Sequence, residues 1–255
     1  MRTVATLLLG SAIAFTLTAC VGGQQRRGPP PKAIEAALRG APGEAQPSTI
    51  VQTEIAYARA AWERGQHTAG LEFVGPGATV HLPNGPSDAF SYLESLSDPE
   101  VSVQWAPRTI IMSCGGDLAV SIGRFKDQKE AVGNYTTVWK RQPDNAYKWT
   151  YEAAGLDNPQ PPPRKVFEDG DIVVTAIDSI QGLVATCPRA GDPTPPPPAF
   201  EVGSDALSSG EEMSRDGTMR WRWEHLQGGA KRVSVDYYYN GKWTTPLQEV
   251  LASDN

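Results

Sequence analysis

The chain has 255 residues, 40% of them hydrophobic and 8% aromatic, with seven tryptophans and a formal net charge of −6. That composition supports a packed core in one large or two small domains, and the absence of any basic stripe excludes a nucleic-acid surface. No metal-ligand spacing, nucleotide-binding glycine loop or nucleophile elbow is present, so neither a cofactor nor a metal is expected.

Residues 1–19 have the layout of an export signal: Arg2, an apolar run over 4–17, then small residues. The run is shorter than the roughly 20 apolar residues of a spanning helix. Leu17-Thr18-Ala19-Cys20 resembles a bacterial lipobox, which implies cleavage before Cys20 and lipid on that cysteine. Several acyl chains anchor durably, because each buried methylene adds about 0.8 kcal/mol. Val21 in place of an aspartate implies sorting to the periplasmic face of the outer membrane in a Gram-negative host. Residues 20–47 hold Gly22-Gly23, Pro29-Pro30-Pro31 and Pro42-Gly43. They form a tether with one short helical pattern at 32–39.

From residue 48 the pattern turns helical. Ile50, Ile55, Tyr57, Ala58, Ala61 and Trp62 recur near a 3.6 period, and Gly65 stops the run. A second helix is expected over 68–74 and a strand over 78–82, closed by Pro83-Asn84-Gly85-Pro86. Ser87 then stands as the cap of a helix over 88–96. Strand patterns follow at 101–105 running through Pro107 into 109–114, at 118–126, at 131–141 and at 147–156. Three tight turns link them into an antiparallel meander.

Residues 158–164 are a proline-rich linker. Beyond it, 165–255 form a β-rich extension, with strand patterns at 172–177, 182–187, 218–225 and 231–239. Met219, Trp221, Trp223 and His225 alternate onto one face, as do Val233, Val235, Tyr237 and Tyr239. The face they form would dock on the preceding domain or on another protein. Cys114 and Cys187 remain once Cys20 is lipidated. In an oxidising compartment such a pair predicts a disulfide, with two buried thiols as the alternative.

Residues 48–157 resemble a SnoaL-like domain of the nuclear transport factor 2-like superfamily. The resemblance is carried by Tyr57-Ala-Arg-Ala-Ala-Trp62, Asp117-Leu-Ala-Val120, Gly133-Asn-Tyr-Thr-Thr-Val-Trp-Lys-Arg141, Asp144 and Tyr147-Lys148-Trp149, and it covers under half of the chain. It implies an α+β, cone-shaped fold with helices packed on a curved antiparallel sheet around a cavity. It also implies either a binding or dimerising domain or an isomerase- or cyclase-like enzyme.

For the enzyme, a general base is needed in an apolar setting with donors nearby. His81 and Asp88 are the candidates, but His81 reads more readily as a surface or loop histidine, and helix-end electrostatics account for Asp88. Glu152, flanked by Lys148 and Thr150, is expected on an exposed face. Trp105, Tyr135 and Trp139 are candidate pocket residues for a flat apolar ligand, or plain core. Tyr147, Trp149 and Tyr151 should share one face of the last strand. Ala153-Ala154-Gly155 stands where many relatives place a polar cavity residue, which points away from catalysis.

The leading expectation is therefore a non-catalytic, membrane-anchored protein that binds a small apolar ligand, a second copy of itself or an envelope protein. An isomerase or lyase, and a structural lipoprotein with a filled cone, are the alternatives.

Overall fold

The computed structural model describes residues 44–162, 179–188 and 194–253. The signal segment, the 32–39 helix, the 172–177 strand and Cys20 lie outside them.

Helix α1 spans Pro47–Arg64, with proline in its first turn and Arg64 in its last. Ile50, Glu54, Tyr57 and Ala61 are buried, at the spacing of one helix face. Gly65 ends it at φ +110°, and an added Cβ there would fall 2.2 Å from the Asp98 carboxylate. That carboxylate caps α2 (Gln66–Phe73), accepting from the His67 and Thr68 amides and the Thr68 hydroxyl at 2.5, 3.1 and 2.5 Å.

Strands β1 (Val74–Leu82) and β2 (Gly85–Asp88) form a hairpin that leads into α3 (Ala89–Glu94). The cap of α3 is Asp88, which accepts from the Ser91 amide at 2.8 Å. Ser87, the expected cap, lies one residue too early: β2 runs on through Asp88, and it is the Asp88 carboxylate that reaches the Ser91 amide.

The meander follows: β3 (Gln104–Met112), β4 (Leu118–Lys126), β5 (Val132–Arg141) and β6 (Tyr147–Leu156). A register shift at Pro107 interrupts the β3–β4 ladder, as a residue without an amide hydrogen requires. Then come β7 (Gln181–Val184), β8 (Ala206–Met213), β9 (Met219–Leu226), β10 (Lys231–Tyr239) and β11 (Lys242–Leu251).

The first sheet is curved, with the order β2-β1-β6-β5-β4-β3-β7, and the second has the order β11-β10-β9-β8. The α+β class and the helices on one face of a curved sheet are as expected, but the sheet is mixed. β1 joins β6 in parallel and β7 joins β3 in parallel. Both arrive by long crossovers, and only hairpins enforce antiparallel pairing.

The described residues form three layers. Helices cover the inner face of the first sheet around Ile50, Tyr57, Ala61, Trp139 and Trp149. The second sheet covers the outer face, where Val120, Val138, Tyr151 and Ala153 meet Trp221, Val233, Val235 and Tyr237. The alternating face of β9 and β10 thus docks on its own chain, except that Tyr239 is exposed. Contact is close enough that a Cβ on Gly155 would sit 2.6 Å from the Ala252 backbone. The Cys114–Cys187 disulfide joins the end of β3 to the segment after β7, with 5.1 Å between the Cα atoms. The Thr186 amide donates to the Tyr238 carbonyl at 2.8 Å, linking that segment to β10.

Candidate functional site

One irregularity in β6 sets the chemistry of the inner face. Trp139 pairs with Trp149, but the preceding residue Val138 pairs with Tyr151, so Thr150 is an extra residue in the ladder. A β-bulge of this kind reverses the alternation beyond it. Tyr147 and Trp149 pack under the helices, whereas Tyr151 packs against the second sheet. The three aromatics do not share a face. Glu152, expected on an exposed face, is turned inward for the same reason.

There Glu152 completes a row across the sheet, Ser121–Thr137–Glu152–Val80. It lines a cleft of about 280 Å³ with Tyr57, Gln66, His67, Val80, His81, Leu93 and Trp149. The Trp149 indole N–H is buried beside the Tyr57 hydroxyl. Burial, and secondarily the Glu54 carboxylate, push the Glu152 carboxyl up to about 7. The cleft thus sets Tyr57 and Trp149 beside a carboxyl poised to gain or lose a proton near neutrality.

Glu54 is the second inward carboxyl, on α1 and 2% exposed. It is closed off: Ser121 Oγ donates to one oxygen, while the Trp105 indole and the Tyr135 hydroxyl donate to the other at 2.9 and 3.3 Å. The Trp139 indole in turn donates to Ser121 Oγ at 2.9 Å. Burial raises the Glu54 carboxyl above its usual range against the pull of these donors.

The structure brings Trp105, Tyr135 and Trp139 together, but around Glu54. Trp139 and Tyr135 are buried, and Tyr57 stacks on Phe73 and meets Trp105 edge-on, each at 4.9 Å between centroids. These rings fill the cone interior and leave the small cleft at its edge.

His81 is not on the surface; it borders the cleft, but its ring nitrogens are engaged between the sheets. It is 2% exposed and sits between the sheets, its Nδ1 2.6 Å from the Tyr151 hydroxyl and its Nε2 3.1 Å from His225 Nδ1. Burial, then the charges of His225 and Lys231, push its pKa down to about 3. Asp88 acts as a helix cap. Its carboxyl is held below the usual range by the Ser91 amide.

Among the described residues no group of three or more His, Cys, Asp or Glu is placed to hold a metal ion. No described helix is long and apolar enough to cross a membrane.

No protein-family model matches the chain, and no curated protein matches it. Solved structures do. A ketosteroid isomerase candidate from Parabacteroides distasonis is similar at 18% identity, over 43% of this chain and 89% of that one, with a TM-score of 0.36. A nuclear transport factor 2-like superfamily protein from Salmonella enterica serovar Typhimurium matches at 15% identity, over 49% and 96%, with a TM-score of 0.33. Nuclear transport factor 2 from Cryptosporidium parvum matches at 11% identity, over 44% and 95%, with a TM-score of 0.34.

Two features of the site escaped sequence reasoning. Glu54 carried a signal, since it lies at helical spacing between Ile50 and Tyr57 on the buried face. Glu152 carried none, because nothing in the residues around Thr150 announces a bulge.

Proposed function

We propose that this protein binds a small carbonyl compound in the cleft beside Glu152 and exchanges a proton with it. The reading is carried by the bulge at Thr150, which turns Glu152 into the same cleft as Tyr57 and Trp149. In this reading the Glu152 carboxylate removes a proton from the carbon beside the carbonyl. Tyr57 and Trp149 donate to the oxygen as charge develops on it, and Glu152 returns the proton. The cleft volume suits a compound of one ring or less and is too small for a polycyclic ligand.

Hydrogen–deuterium exchange of cyclohexanone in D₂O, followed by proton NMR, tests this. The protein should accelerate exchange over buffer, and Glu152→Gln should lose about 100-fold of that rate. Binding of the ketone without acceleration supports the second reading, a non-catalytic binding domain. The filling of the cone by Tyr57, Phe73, Trp105 and Trp139 favours instead a structural domain without a ligand. Absence of both overturns the proposal.

The exported, lipid-anchored state at Cys20 is part of the same proposal and rests on Leu17-Thr18-Ala19-Cys20. Labelled palmitate should enter the parent protein and not Cys20→Ser.

A further inference from the structure

Residues 194–203 contain the run Pro195-Pro196-Pro197-Pro198, followed by Phe200. They form neither helix nor strand, since proline has no amide hydrogen for a ladder. The segment crosses the face of the second sheet that is turned away from the first. Register defines that face. Val233, Val235 and Tyr237 pack against the first sheet. Arg232, Ser234 and Tyr238, with their cross-strand partners Glu224, Arg222 and Trp243, therefore point the other way.

Three contacts fix the strap there. The Trp243 indole donates to the Pro195 carbonyl at 2.8 Å. The Arg222 guanidinium lies 4.7 Å from the centre of the Phe200 ring. The Gly203 amide donates to Glu224 Oε1 at 2.5 Å. The charges of this face are paired among themselves, Arg222 with Asp236 at 3.2 Å and Arg232 with Glu224 at 2.7 Å. What the face offers a ligand is not net charge. It offers an indole donor, the Tyr238–Trp243 ring pair with 6.1 Å between centroids, and a guanidinium plane.

That is the chemistry which recognises polyproline. A proline run is extended in advance, its carbonyls are open to a donor, and aromatic side chains receive its rings. The strap holds the face lightly. Pro195, Pro196 and Pro198 are exposed, and among the described residues the run accepts one hydrogen bond, from Trp243. Tethering keeps it in place, because β8 follows it and the Cys114–Cys187 disulfide closely precedes it.

We propose that this face is a polyproline-binding surface. Residues 194–203 occupy it as an internal ligand, and a proline-rich segment of another protein, with an aromatic residue after the prolines, displaces them.

Fluorescence anisotropy of a labelled peptide of residues 194–203, titrated with the exported protein, tests this. Opening the strap with Pro195→Ser/Pro197→Ser/Phe200→Ser should tighten peptide binding about ten-fold over the parent, because the tethered competitor is lost. In that background Trp243→Phe keeps a ring but removes the donor, and should weaken binding about ten-fold. A peptide with alanine in place of every proline should bind no better than that variant. Circular dichroism checks that the opened protein is folded, and Phe200→Ser alone replaces it if it is not. No saturable binding to the opened protein overturns the proposal. So does equal binding by the parent, by the Trp243→Phe variant or of the alanine peptide. A parent that light scattering shows to be a dimer, and that the peptide dissociates, overturns the foreign partner in favour of a second copy of this chain.

Discussion

Glu54 and Glu152 differ although both face inward. Glu54 is held by three donors and is shut from solvent, so it is suited to a structural or tuning role. Glu152 lines a cleft, and its raised proton affinity has two causes, burial and then the Glu54 charge. Removing the second cause should leave the first. Glu54→Gln is therefore expected to lower the Glu152 pKa from about 7 toward the ordinary carboxylate range without reaching it. Carbon-13 NMR titration of labelled glutamate carboxyls reads this directly. An unmoved Glu152 resonance would show that the two carboxyls do not sense each other. At this scale the residues in the sequence were visible and their directions were not. Alternation predicts side-chain faces only while the ladder is regular. A single extra residue at Thr150 moved Tyr151 to the second sheet and Glu152 to the cleft.

The elements were more legible than their joints. The apolar period of 50–62 and the stop at Gly65 give α1, and the tight turns give the meander. Pro107 marks its own irregularity because it has no amide hydrogen for the ladder. Two features depended on distant partners and left no local signal. β8 has a mostly polar, half-exposed sequence and is a strand because β9 pairs with it. The start of α2 is capped by Asp98, which lies 31 and 30 residues from the amides it accepts from. That cap yields a prediction. Asp98→Ala removes the acceptor for the His67 and Thr68 amides and the Thr68 hydroxyl, and should cost about 1–2 kcal/mol in urea unfolding. A loss below a few tenths would mean that water serves as well. Asp98→Asn should recover much of the loss, because its amide oxygen can still accept.

At the scale of the whole molecule, the second sheet closes the outer face of the first, and the closure contains ionisable groups. His81 lies in that interface with His225, Tyr151 and the fully buried Lys231. Its folded pKa of about 3 lies below the ordinary histidine value of 6.5. As pH falls from 6.5 toward 3 the unfolded chain takes up a proton that the folded chain refuses, and stability falls by at most about 1.4 kcal/mol per pH unit. Glu152 works the other way. Its folded pKa of about 7 exceeds the ordinary glutamate value of 4.5, so the stability it contributes is present at low pH and lost as pH rises from 4.5 to 7. The two slopes oppose each other between pH 4.5 and 6.5. Urea unfolding across that window should show the balance tipped in opposite senses by the two variants. Relative to the parent, Glu152→Gln should gain stability as pH rises, and His81→Gln should gain stability as pH falls. Parallel profiles for parent and both variants would mean that neither group titrates differently in the folded protein. The docking of the second sheet would then owe nothing to a neutral His81.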